Sequence, residues 1–195
     1  MHGLVNRALQ NFVTDTYGSQ AWQAIATAAR IDPPWFEAML TYEDAVTDRV
    51  LAAAAGHLSK AVDAILEDLG TYLVSHPNVT APRRLLRFAG PTFEEFLHSL
   101  EDLPDRVRLA VPELVLPDIE VSESAPGKLD VVTGAMIPGY VHVLAGLVRA
   151  MADEYGALAT IETIESSGDT DRLLVDLHVQ GFQRGREFRL GEGVT

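Results

Sequence analysis

Cysteine is absent from all 195 residues, which removes disulfides, thiolate metal sites, thiol nucleophiles and iron–sulfur clusters together. Positive charge is scarce: 15 Lys and Arg stand against 28 Asp and Glu, for a formal net charge of −13. Nucleic acid and anionic membrane surfaces both need a basic face, so neither is expected as a partner. The start, MHGLVNRALQ, lacks the apolar stretch of a secretory leader. No apolar run reaches the ~18 residues of a membrane span. Nor is there a glycine-rich phosphate loop, a GxSxG elbow, an HExxH pair or an EF-hand loop. What remains is an acidic chain, 47% apolar, long enough for a real core and expected in the cytoplasm.

Periodicity divides the chain in two. Leu4, Val5, Ala8, Leu9, Phe12 and Val13 recur at helical spacing until Tyr17-Gly18. Ser19 reads as the N-cap of a second helix carrying Trp22, Ile25 and Ala26, broken by Asp32-Pro33-Pro34. A third helix is predicted from Asp44 to Gly56, and a fourth from Ser59 to just before Pro77. Thr92 and Glu95 form a capping-box pattern that opens a helix through Leu103. After Pro117 the period changes to two. Ile119–Val121 and Leu129–Val131 flank Ala125-Pro126-Gly127 as a hairpin, and Gly139–Tyr155 is helical. Ile161–Ile164 and Leu173–Leu177 give two more strands around a turn at 166–171. The fold class is therefore α+β, a helical half followed by a four-stranded antiparallel sheet with one inserted helix. One domain over residues 1–180 is expected, with 181–195 as a flexible tail.

Catalytic chemistry is not legible. Adjacent carboxylates at Glu94-Glu95, Glu101-Asp102 and Asp153-Glu154 point about 100° apart on a helix and make no acid/base dyad. The six histidines share no short metal-ligand spacing. No enzyme is predicted.

Specific signal comes from the opening MHGLVNRAL, Tyr17-Gly18, Trp22, Tyr42-Glu43-Asp44 and Phe96–Leu103. It continues through Pro112, Pro117, Gly127–Leu129 and Pro138-Gly139 to Gly146-Leu147. Together these resemble the heme nitric oxide/oxygen-binding (H-NOX) domain, as found in the beta subunit of soluble guanylate cyclase. The resemblance implies a heme pocket and a sensory role, and it permits a residue-by-residue check. The family's iron ligand is a histidine directly after Leu-x-x-Leu, eight residues before a proline. Counting from Leu103 and from Pro112 places it at Pro104, which has no lone pair for iron. The family's Tyr-x-Ser-x-Arg motif, which holds the heme propionates, falls on Thr133, Ala135 and Ile137. The proline that presses on the porphyrin is kept as Pro117.

Other positions that face heme in the family correspond to Leu4, Val5, Leu9, Leu73, Val143 and Leu147, all aliphatic. Without a tyrosine at Val143, a hydrogen-bonded oxygen complex is not expected. Two histidines come near the pocket in sequence. His98 lies about 240° round the helix from position 104 and should point away. His142, beside Val143, is the candidate metal ligand if heme binds. The resulting expectation is a stand-alone H-NOX-like signalling domain with degenerate heme binding and an apolar pocket for a small ligand, so no cofactor is expected. The alternative is a heme-based nitric oxide sensor ligated through His142. The resemblance implies a separate signalling partner, such as a histidine kinase or a cyclic-dinucleotide enzyme.

Overall fold

The computed structural model describes residues 1–86, 90–164 and 168–179. Helix α1 (Gly3–Tyr17) is capped by His2, whose Nδ1 accepts the Leu4 N–H at 3.2 Å. Gly18, at φ 91°, ends α1 and starts α2 (Ser19–Ala28) in one step. Ser19 is therefore the first helical residue of α2 and not its cap. That φ suits glycine, which has no Cβ to clash.

Helix α3 (Asp44–Leu58) runs past Gly56, where the sequence suggested it would stop. Ser59 closes it in the left-handed conformation (φ 54°), its N–H bonded to Ala55 O. A residue predicted to begin one helix thus ends another, and α4 (Val62–Ser75) begins after it. A short α5 (Ala81–Leu86), not foreseen from periodicity, leads to α6 (Phe93–Ser99). The capping box is formed: Thr92 Oγ1 accepts the Glu95 N–H and Glu95 Oε2 accepts the Thr92 N–H, each at 3.2 Å.

The predicted single helix through Leu103 is broken. A 3₁₀ turn (Leu100–Asp102) separates α6 from α7 (Leu103–Ala110), and Pro104 sits in the first turn of α7. A first-turn N–H has no partner within its helix, so proline costs nothing there and its fixed φ favours the start.

Strands β1 (Ile119–Ala125) and β2 (Lys128–Gly134) form the hairpin. Helix α8 (Tyr140–Tyr155) follows, then β3 (Leu158–Ile164) and β4 (Thr170–Val179). The sheet is antiparallel in the order β1-β2-β4-β3. Pairings such as Val131 with Leu173 and Ile161 with Val175 set the register. They put Leu129, Val131, Leu173 and Val175 on one buried face. This is the expected helical half and inserted-helix sheet. Residues 181–195, expected as a flexible tail, lie outside the described residues, as does Ser166 of the β3–β4 turn.

Two apolar cores result. One gathers Leu9, Phe12, Trp22, Ile25, Val50, Ile65 and Leu69 from the first four helices. The other joins the sheet to α6, α7 and α8 through Phe93, Phe96, Leu100, Val107, Leu144 and Val148. Each fully buried side chain of this kind is worth about 1.5–3 kcal/mol of transfer free energy. Helices α4 and α8 form the seam between the cores. Arg149 of α8 donates to the Glu67 carboxylate on α4 and, at 3.0 Å, to the Ile161 carbonyl on β3. No helix among the described residues is long and apolar enough to cross a membrane.

Candidate functional site

Of the positions that the resemblance assigns to heme binding, Pro104 and Thr133 are buried and Ala135 and Ile137 are half-buried. Pro104 is buried in the first turn of α7. Thr133, at the end of β2, is 1% exposed, and its hydroxyl has no hydrogen-bond partner among the described residues. Ala135 donates its N–H to Asp169 O at 2.8 Å, holding the β2–α8 connection against the start of β4. Pro117 is also buried, and a Cβ on Gly134 would lie 3.5 Å from its own Cβ. The fold therefore brings Pro117 to the Thr133–Ala135 segment.

The aliphatic candidates divide between the two cores. Leu9 belongs to the N-terminal core, with half-buried Leu73 and Val143 packed against it. Leu147 belongs to the sheet-side core. Leu4 and Val5 are half-buried on α1. Only Ile137 reaches the cleft described below.

No histidine among the described residues is presented as a ready ligand. His98 is exposed on α6, although the 3₁₀ turn between it and Pro104 removes the continuous helix on which the angular argument stood. His2 uses Nδ1 to cap α1. His142 is 5% exposed and turned toward α4, with Nε2 3.8 Å from Asp63 Oδ1 and Nδ1 3.9 Å from Glu67 Oε1. Both separations are longer than a hydrogen bond. Among the described residues no group of three or more His, Asp or Glu is placed to hold a metal ion.

One concave feature among the described residues is a cleft of about 670 Å³ where the two halves meet. Helix α3 presents one face to it, with Asp44, Thr47, Asp48 and Leu51 at i, i+3, i+4 and i+7. The first turn of α4 adds Val62, Asp63 and Leu66. The α7–β1 connection supplies Glu113, Leu114 and Val115, and the β2–α8 connection Met136–Gly139. The Met1 ammonium closes one end, donating to Tyr42 O at 2.7 Å and to Asp44 Oδ1 at 2.6 Å. At the start of α8, just beyond the lining residue Gly139, burial pushes the Tyr140 hydroxyl above the ordinary tyrosine range.

Sequence reasoning found Ile137 through the motif register and missed the other lining residues. The only local signal for them was the stripe of acids and leucine on α3. The cleft chemistry follows from its lining: an apolar interior, with four carboxylates and one ammonium at its edges.

Comparison with known proteins agrees with this architecture. The profile of the family described as Haem-NO-binding matches residues 2–163. Soluble guanylate cyclase gcy-31 of Caenorhabditis elegans is 20% identical over 190 residues, 96% of this chain and 27% of that protein. The guanylate cyclase soluble subunit beta-2 of Rattus norvegicus is 27% identical over 94 residues, 48% of this chain and 14% of that protein. The chain thus spans at most about a quarter of the length of these relatives. The Fe(II) unliganded H-NOX protein from K. algicida superposes with a TM-score of 0.76 at 19% identity, covering 93% of this chain and 99% of that one. An H-NOX protein from S. oneidensis gives 0.78 at 15% identity, over 94% and 99%. These structures establish the fold, and the profile establishes the family: the chain belongs to the Haem-NO-binding, or H-NOX, family.

Proposed function

We propose that this chain is a sensory H-NOX domain that has lost the family's grip on heme and signals through a ligand in an apolar cleft. The family is one of heme-based gas sensors, so the reading departs from it at the cofactor. Pro104 carries the argument: it is buried where the resemblance places the iron-binding imidazole, and proline has no donor for iron.

The propionate positions support the same reading. Thr133, Ala135 and Ile137 offer one hydroxyl and no cation, whereas a charge-assisted hydrogen bond contributes about 1.5–3 kcal/mol. Losing the arginine and both companion hydroxyls removes on the order of 5 kcal/mol, more than a thousandfold in affinity. The output passes to a separate protein, of which a histidine kinase or a cyclic-dinucleotide enzyme is the expected class.

An absorption spectrum of the chain expressed with added heme tests this directly. No Soret band is expected, and a stoichiometric band surviving gel filtration overturns the reading. A heme-based nitric oxide sensor ligated through His142 is the competing account. It requires the imidazole to leave Asp63 and Glu67, and His142→Ala would then abolish any heme uptake.

A further inference from the structure

Charge and shape at the cleft point in one direction. Its volume of about 670 Å³ lies within the range of small-molecule sites. The interior is apolar, with Leu51, Leu66 and Ile137, whereas Val115 and Met136 stand 60% and 66% exposed at the margin. Four acids line the same space. Asp44 is taken up by the Met1 ammonium at 2.6 Å. Asp63 lies 3.8 Å from His142 Nε2, a cation only when protonated. Asp48 and Glu113 come from different walls, α3 and the α7–β1 connection, and neither has a cationic partner among the described residues. A concave, low-dielectric wall focuses the field of such groups and raises the local concentration of the opposite charge.

We infer that this cleft binds a small amphiphilic cation, a protonated amine carried on a flat apolar body. The body covers Val115, Met136 and Ile137, and the ammonium meets Asp48 and Glu113. The inference rests on the proposed reading of a ligand sensor without family-style heme. An anion of the same size would meet the acidic rim instead. Like charges brought together oppose binding as strongly as opposite charges favour it.

The test uses the whole purified chain and two tricyclic probes of matched size. One is 9-aminoacridine, a cation at neutral pH; the other is 9-anthracenecarboxylate, an anion. Fluorescence titration at low salt is expected to give a dissociation constant about tenfold lower for the cation, with the difference shrinking as salt is added. Asp48→Asn with Glu113→Gln should weaken 9-aminoacridine by roughly tenfold. Asp153→Asn with Glu154→Gln makes the same change of charge at the exposed end of α8 and should leave binding unchanged. Equal affinity for the two probes, or equal losses in both double variants, overturns the inference. The absorption spectrum of the same preparation scores the heme reading separately. A Soret band with the cation preference intact sinks that reading alone, and no band with no preference sinks this inference alone.

Discussion

Gly70 of α4 lies directly under the Val143 carbonyl of α8: a Cβ added at Gly70 would stand 2.0 Å from that oxygen. Gly146 mirrors it, since a Cβ there would be 1.9 Å from Glu67 O. The helices cross backbone against backbone, with Thr71 Oγ1 donating to Gly146 O at 3.2 Å. Alanine favours a helix over glycine by about 1 kcal/mol, yet here it must force the two helices apart. Gly70→Ala and Gly146→Ala are each expected to lose roughly 2–4 kcal/mol, read as a lower urea midpoint with unchanged slope. Gly56→Ala supplies the contrast. That exposed α3 site has nothing within 4 Å of an added Cβ and should gain up to about 1 kcal/mol. A Gly70→Ala protein as stable as the parent would refute the steric account.

Alkaline pH should loosen the junction of α1 and α4. The Tyr72 hydroxyl donates to Asp15 Oδ2 at 2.7 Å. Burial first, and then the Asp15 carboxylate, raise its pKa above the ordinary value. Below about pH 10 both folded and unfolded states keep the proton, and the bond's stabilisation is intact. Above that pH the unfolded chain ionises first, so stability falls as pH rises. Tyr72→Phe should be about 1 kcal/mol less stable at neutral pH and lose less on going from pH 9 to 11. Parallel pH curves for the two proteins would exclude Tyr72 as a source of the alkaline loss.

Asn6 and Thr47 form a buried polar pair beside the cleft, with Thr47 Oγ1 donating to Asn6 Oδ1 at 2.8 Å. Asn6 is fully buried, and its Nδ2 has no hydrogen-bond partner among the described residues. Thr47→Val leaves the whole amide unpaired and should cost about 1–3 kcal/mol. Adding Asn6→Leu removes the orphaned groups, so the double variant should unfold at higher urea than Thr47→Val alone. Additive losses in this cycle would contradict the pairing.

Heme affinity should return stepwise. Pro104→His places an imidazole in the first turn of α7, and Ile137→Arg places a cation at the β2–α8 connection. The single Pro104→His variant is expected to take up heme weakly. The pair should bind roughly tenfold to a hundredfold more tightly, the range of one charge-assisted hydrogen bond. Heme titration followed at the Soret band decides it, and an Ile137→Arg that adds nothing would mean that the motif register is misplaced.

The fold was largely open to reading because its elements are strongly periodic. The Thr92–Glu95 capping box, the Ala125–Gly127 turn and the α8 stripe all rest on local rules, and each formed as expected. Helix ends were less legible. Gly56 has the residue type of a helix stop, but the backbone turns at Ser59, where the Ala55 carbonyl takes the closing bond. That Pro104 opens a new helix depends on the 3₁₀ turn before it.

The cleft was hardly legible at all. Its walls come from residues near 1, 44–66, 113–115 and 136–139, brought together only by tertiary packing. The family resemblance located Ile137 because motif spacing survives where chemistry does not. It offered nothing for Asp48 or Glu113, whose significance depends on facing the same space.

Exchange of side chains across the seam has a mechanical result. Val74 of α4 is counted in the sheet-side core, and Val143 of α8 packs on the N-terminal one. Each rod thus has a tooth seated in the opposite gear. Packing on both sides of the seam therefore shares side chains from α4 and α8.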